Sequence, residues 1–181
     1  YRTDSSLLWD SFRTLSSLLQ QIQQELPQLA FNHRFHTKKV KKLAYFITRN
    51  AKSASKRTHR KVKSTYRALI ARVRWITEVS KEVQQRLPLA FYKAPELIEY
   101  TPIAERVIDQ AERRVFDGEV VPADEKVYSL FEEHTELLKR GKAGKSVEFG
   151  HMVLIAQTGE KFITHYRVMP ERKADKDLLA E

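Results

Sequence analysis

The chain has 181 residues, 41% of them hydrophobic and 31% charged, enough for one ordinary domain or two small ones under a heavily charged surface. Its net charge of +10 points to a polyanionic partner. It has no cysteine, which excludes disulfides and thiolate metal sites, and it shows neither a signal peptide nor an apolar run near the roughly 18 residues of a membrane span.

Residues 4–26 read as an amphipathic helix. Leu8, Phe12, Leu15, Leu18 or Leu19, Ile22 and Leu26 recur at helical spacing, Thr3, Asp4 and Ser5 offer N-caps, and Pro27 ends it. A second helix begins near Thr37 with Val40, Leu43, Ala44 and Ile47 on one face, and reaches Arg49 or Asn50. The small, polar piece Ala51-Lys-Ser-Ala-Ser-Lys-Arg57 reads as a bend or a continuing helix. The longest periodic run follows over 57–87, through Val62, Tyr66, Val73 and Ile76, and Pro88 stops it. Pro102 in a first turn and Gly118 as a stop predict a helix over 102–117.

Beyond Gly118 the period changes. Lys126–Phe131 reads as a strand, and so do Phe149–Gln157 and Lys161–Met169, with Thr158-Gly159 between the last two as a hairpin signal. Ala174-Asp-Lys-Asp-Leu-Leu179 reads as the start of a helix. The expected class is α+β: a helical region at about residues 4–117, followed by a small antiparallel β region. The expected division is 1–118 and 119–181.

Charge is divided unevenly. Residues 26–77 hold fifteen Lys and Arg and no acid: Arg34, Lys38, Lys39, Lys41, Lys42, Arg49, Lys52, Lys56, Arg57, Arg60, Lys61, Lys63, Arg67, Arg72 and Arg74. The remainder of the chain has 18 bases against 23 acids. A solvated helix face usually mixes signs, because opposite charges at i,i+4 support a helix and like charges weaken it. Cations near phosphates release condensed counterions and give salt-sensitive affinity. This stretch is therefore the candidate nucleic-acid grip. A membrane surface is the weaker alternative, because the apolar faces look like ordinary core stripes.

Other candidates are poorer. Arg140-Gly-Lys-Ala-Gly-Lys-Ser146 ends like a phosphate-binding loop, but Lys139 stands where the first glycine belongs and a strand follows where a helix is needed. Lys142 and Lys145 remain candidates for a basic turn on a phosphate backbone. His33 and His36 share i,i+3 spacing without a third ligand nearby. The carboxylates Asp4, Asp10, Asp124, Glu125, Asp175 and Asp177 read as capping or solvated groups, so no catalytic residue and no metal ligand is assigned in this chain.

Three segments carry a resemblance: Thr3-Asp-Ser-Ser-Leu-Leu-Trp-Asp10; Glu119-Val-Val-Pro-Ala-Asp through Leu138; and Lys145-Ser-Val-Glu-Phe-Gly-His151 with its spacing to Ala174-Asp175. Together they resemble the DDE transposases of bacterial insertion sequences, ISNCY-type. The resemblance implies a ribonuclease-H-like core whose acidic triad holds two Mg²⁺ ions for in-line phosphoryl transfer. It implies a helical insertion after the first core strand, where the basic stretch lies. Its triad acids map before Tyr1 and after Glu181. The expectation is therefore an internal fragment that binds DNA (transposon ends and target) without cleaving it. Mg²⁺ belongs to the parent enzyme, and the setting is the bacterial cytoplasm and nucleoid. A homo-oligomer is compatible with it. The competing reading is a non-catalytic helical DNA- or RNA-binding protein.

Overall fold

The computed structural model describes residues 3–132, 135–142, 145–150 and 153–169; the side chains at 136–142 and 145–148 lie outside the described set. The chain forms two compact units, 1–133 and 134–181. It is α+β: four helices in the first unit and antiparallel strand pairs in the second.

Helix α1 spans Asp4–Glu25. Thr3 caps it reciprocally: its hydroxyl accepts from the Ser6 amide at 3.4 Å, and the Ser6 hydroxyl accepts from the Thr3 amide at 2.8 Å. Leu8, Phe12, Leu15, Leu19 and Ile22 are all fully buried, so α1 presents an unbroken apolar stripe to the helices around it. A short 3₁₀ turn at Pro27–Leu29 and an extended segment lead to α2, Thr37–Asn50. The Ser55 hydroxyl accepts from the Thr58 amide at the start of α3, which spans Lys56–Gln84. Leu69, Ile70, Val73 and Ile76 join Val40, Ala44 and Ile47 of α2 and the α1 stripe in one core.

Helix α4 spans Ala94–Glu112 and continues as a π-helical turn at Arg113–Asp117, ending on Gly118 at φ 71°. It starts eight residues before Pro102, where the sequence placed its first turn. Pro102 lacks an amide proton and costs a helix interior about 3 kcal/mol. The burial of Ala94 and Leu97 before it and of Ala104 and Val107 after it outweighs that loss. Gln84 of α3 braces the spot, donating to the Leu97 carbonyl at 2.9 Å and to the Thr101 hydroxyl at 2.8 Å.

The strand expected at Lys126–Phe131 is absent. Residues 118–132 run as irregular chain, and Val127 and Leu130 insert into the helical core. Gln110 explains the arrangement. Its side-chain oxygen accepts from the Val127 amide at 2.8 Å, and its nitrogen donates to the Asp4 carboxylate at 2.9 Å. Asp4 also accepts twice from Arg114, at 2.9 and 2.8 Å. The helical unit thus reaches beyond residue 118, where the change of period had set its edge.

In the second unit β1, Glu136–Lys142, pairs antiparallel with β2, Lys145–Gly150, and β3, Val153–Gln157, pairs antiparallel with β4, Ile163–Val168. Of the strand expected over Phe149–Gln157, Phe149 and Gly150 end β2 and Val153–Gln157 forms β3, with residues 151 and 152 outside the described residues. Gly150, at φ 152°, takes a backbone conformation open to glycine and poorly accessible to other residues. The β3–β4 hairpin turns through Thr158-Gly159 as the sequence indicated, with the Thr158 amide donating to the Phe162 carbonyl at 2.9 Å. The helix expected from Ala174 lies outside the described residues.

Replacing Gln110 with Ala leaves the Val127 amide without its acceptor and removes one donor from Asp4. The expected loss is roughly 2 kcal/mol of unfolding free energy, read by urea denaturation. A loss under about 0.5 kcal/mol would mean the pin is not structural.

Candidate nucleic-acid interface

The acid-free stretch folds into the 3₁₀ turn, the extended segment after it, α2, the link 51–55 and the first three-quarters of α3. All fifteen of its Lys and Arg are exposed. Helix periodicity produces this result. The apolar residues of α2 and α3 fill one face each, and the cations occupy the positions left over.

On α2, Lys38, Lys42, Tyr45 and Arg49 follow at i, i+4, i+7 and i+11 and so share one solvent stripe. On α3, Lys56, Arg60, Lys63, Arg67 and Arg74 share another. Lys39, Lys41, Lys52, Arg57, Lys61 and Arg72 fill the remaining exposed surface of the same segment, and Arg34 precedes it.

Several of these cations are propped by aromatic rings. The Lys61 ammonium lies 5.1 Å from the ring centre of Phe46, which ties α3 to α2. The Arg67 guanidinium lies 5.0 Å from Phe116 of the π-helical turn, and Arg49 lies 5.0 Å from Tyr45. Such contacts hold a long side chain while leaving its charge in place, and contribute about 0.5–1 kcal/mol at exposed sites.

Arg74 differs from the rest. It donates to both carboxylate oxygens of Glu112 at 2.8 Å. Among the described residues it alone of the fifteen meets a carboxylate, so its charge is largely answered within the fold. The pattern changes just beyond it. Glu78 and Glu82 are exposed on α3, and Lys81 is paired with Glu105 at 2.5 Å and Glu78 at 3.3 Å. The hydrogen bond to Glu105, then that to Glu78, raises the Lys81 pKa.

Elsewhere in the helical unit Arg13, Lys81, Lys93, Arg113 and Arg114 each meet a carboxylate. Arg113 binds Glu119, Glu125 at 2.7 Å and Asp109 at 3.4 Å. The Glu119 contact is the foremost cause holding the Arg113 pKa above its ordinary value, and it lowers that of Glu119 in return. Arg113 lines a cavity of about 380 Å³ with Arg106, Asp109 and Asp124. Because that guanidinium is already engaged by three carboxylates, the cavity is a poor anion site. Burial, followed by the nearby Asp4 carboxylate, pushes the Tyr66 phenol up.

The remaining candidates are scattered. His33 sits among Phe31, Phe35 and Trp75, edge-on to the Trp75 ring at 5.6 Å, where it packs an extended segment against α3. His36 is exposed and holds a left-handed conformation at φ 49° just before α2. His59 is exposed on α3 and His165 on β4, whereas His134 and His151 lie outside the described residues. Asp4 and Asp10 are buried on α1, and Asp10 pairs with Arg13 at 3.0 Å. Asp175 and Asp177 lie outside the described residues. Among the described residues no group of three or more His, Asp or Glu converges to hold a metal ion. Lys142 and Lys145 are cross-strand partners at the closed end of the β1–β2 hairpin, with their side chains outside the described set. No helix is long and apolar enough to cross a membrane, among the described residues.

The cation–aromatic props and the Arg74–Glu112 pair were not found from sequence. The partners of Lys61, Arg67 and Arg74 sit on other elements, so spacing within one helix cannot show them. The contact between Asp109 and Arg113 was visible in principle, since the two stand at i,i+4.

Comparison with known proteins returns no match among family models, curated proteins or solved structures.

Proposed function

We propose that this chain grips nucleic acid by its phosphate backbone through the exposed face of α2 and the first two-thirds of α3. One observation carries the reading. Fifteen Lys and Arg are exposed on one continuous segment, and among the described residues only Arg74 is paired with an acid. A surface shaped for solvation alone would mix signs and relieve the repulsion. Each of these cations brought near a phosphate releases a counterion, which makes association strong at low salt and weak at high salt.

The finer reading is that the grip belongs to a DDE transposase. It rests on the motifs Thr3-Asp-Ser-Ser-Leu-Leu-Trp-Asp10 and Lys145-Ser-Val-Glu-Phe-Gly-His151. In this reading the strands of the second unit belong to a ribonuclease-H-like core, and the helical unit is a DNA-holding insertion. Mg²⁺ would supply activation of the attacking oxygen and stabilisation of the leaving one in the parent enzyme. The described residues of this chain do not supply a donor set for it, so no cleavage step is assigned to them. The chain's part is to hold and orient DNA.

Anisotropy titrations with labelled DNA at several salt concentrations test the grip. Log affinity against log salt should fall steeply. The variant carrying Lys38→Gln, Lys42→Gln, Lys56→Gln and Lys63→Gln should flatten the slope by about 3–4, close to 0.9 per lost phosphate contact. An unchanged slope would contradict the assignment. The transposase reading is tested by the parent reading frame. It should place a strand-borne Asp upstream of Thr3, and a strand Asp and a helical Glu downstream of Glu181. A parent frame lacking these would contradict that finer reading and leave the grip standing.

A further inference from the structure

Resting on the phosphate-grip reading above, we infer that the partner is duplex DNA, and that α3 lies lengthwise in its major groove between Lys56 and Arg74. The arrangement of charge around α3 carries this. An α-helix turns about 100° per residue. Lys56, Arg60, Lys63 and Arg67 therefore form one flank, and Lys61 and Arg72 form a second, roughly 140° away around the axis. Each flank is steadied by a different neighbour: Arg67 against Phe116 on one side, Lys61 against Phe46 of α2 on the other. A helix meeting a single strand needs one row of cations. Two rows on opposite flanks match two phosphate walls.

The space between the flanks is consistent with that placement. Beyond Arg57 at the N-terminal end, Ser64, Ala68 and Ala71 are exposed there, so the crest of the helix is narrow. A helix about 10–12 Å wide fits a B-form major groove about 12 Å wide. The A-form major groove of duplex RNA is too deep and narrow to admit it. Single-strand binding surfaces instead offer exposed aromatic rings for stacking. Between Lys56 and Arg74 the rings of α3 are Tyr66, which is half-buried, and the single exposed imidazole of His59, which gives no row of rings for successive bases.

The length of the contact is also marked. From Lys56 to Arg74 the helix rises about 27 Å. Past Arg74, which is held by Glu112, exposed Glu78 and Glu82 would repel a phosphate backbone. Beyond Arg57 the crest residues carry little hydrogen-bonding information, so recognition along most of α3 is by groove shape and backbone, with weak base discrimination.

The test compares the full chain and its variant Ala68→Leu/Ala71→Leu on one sequence, prepared as duplex DNA, duplex RNA and single-stranded DNA. The variant keeps every charge and the helix propensity. The wild type should bind duplex DNA about tenfold tighter than duplex RNA. The double variant should lose about tenfold on duplex DNA and stay within about twofold on single-stranded DNA, with an unchanged thermal melt. Equal wild-type affinity for the two duplexes, or a double variant that binds duplex DNA like the wild type, overturns the groove placement while the phosphate grip survives. Absence of salt-dependent binding to all three ligands overturns both.

Discussion

The fold depends on an apolar core strong enough to hold two helices against their own charge. Lys38 and Lys42, Lys56 and Arg60, and Lys63 and Arg67 are like-charged pairs at i,i+4. Each weakens its helix by roughly 0.2–0.5 kcal/mol. Screening at physiological salt acts over about 8 Å and leaves such neighbours coupled. The opposing force comes from burial. Phe12, Leu15 and Leu19 of α1, with Leu69, Val73 and Ile76 of α3, are removed from water, and each fully buried side chain of this kind is worth about 1.5–3 kcal/mol. The cations are tolerated because they stand on the faces that the core does not use.

The same helical unit treats charge in two ways. Around α4 and the π-helical turn, cations are paired with carboxylates: Arg113 with Glu119, Glu125 and Asp109, and Arg114 with Asp4. Along α2 and the front of α3 they are not. Arg74 marks the border, since it belongs to the basic run by sequence and to the matched region by contact. Exposed ion pairs add little to stability, so the value of this partition is in where field remains. A one-signed surface attracts a polyanion from a distance and orients it before contact.

Most of the helical unit was legible from residue spacing. The apolar periodicity of α1, α2 and α3 located these helices to within a few residues, because one buried face per helix is what a helical core requires. The start of α4 was not legible. Pro102 signals a first turn by local rules, and only the packing of Ala94 and Leu97 shows why the helix runs through it. Val127 and Leu130 suggested a strand, but they serve as pegs that fix irregular chain to the helices, and the Gln110 bond that holds them spans seventeen residues. The basic segment itself was plain in sequence. Which of its cations is neutralised, and which, apart from Arg49 on Tyr45 within α2, are propped on rings, depended on partners from other elements.

The most direct test of the central claim is a map of where DNA touches the chain: amide chemical-shift changes on titrating the isotope-labelled protein with a short duplex. The largest changes are expected within residues 37–74, on α2, the link and the front of α3, fading past Glu78. Changes centred on α4, on the Arg113 cluster or on the strands, with residues 37–74 undisturbed, would contradict it.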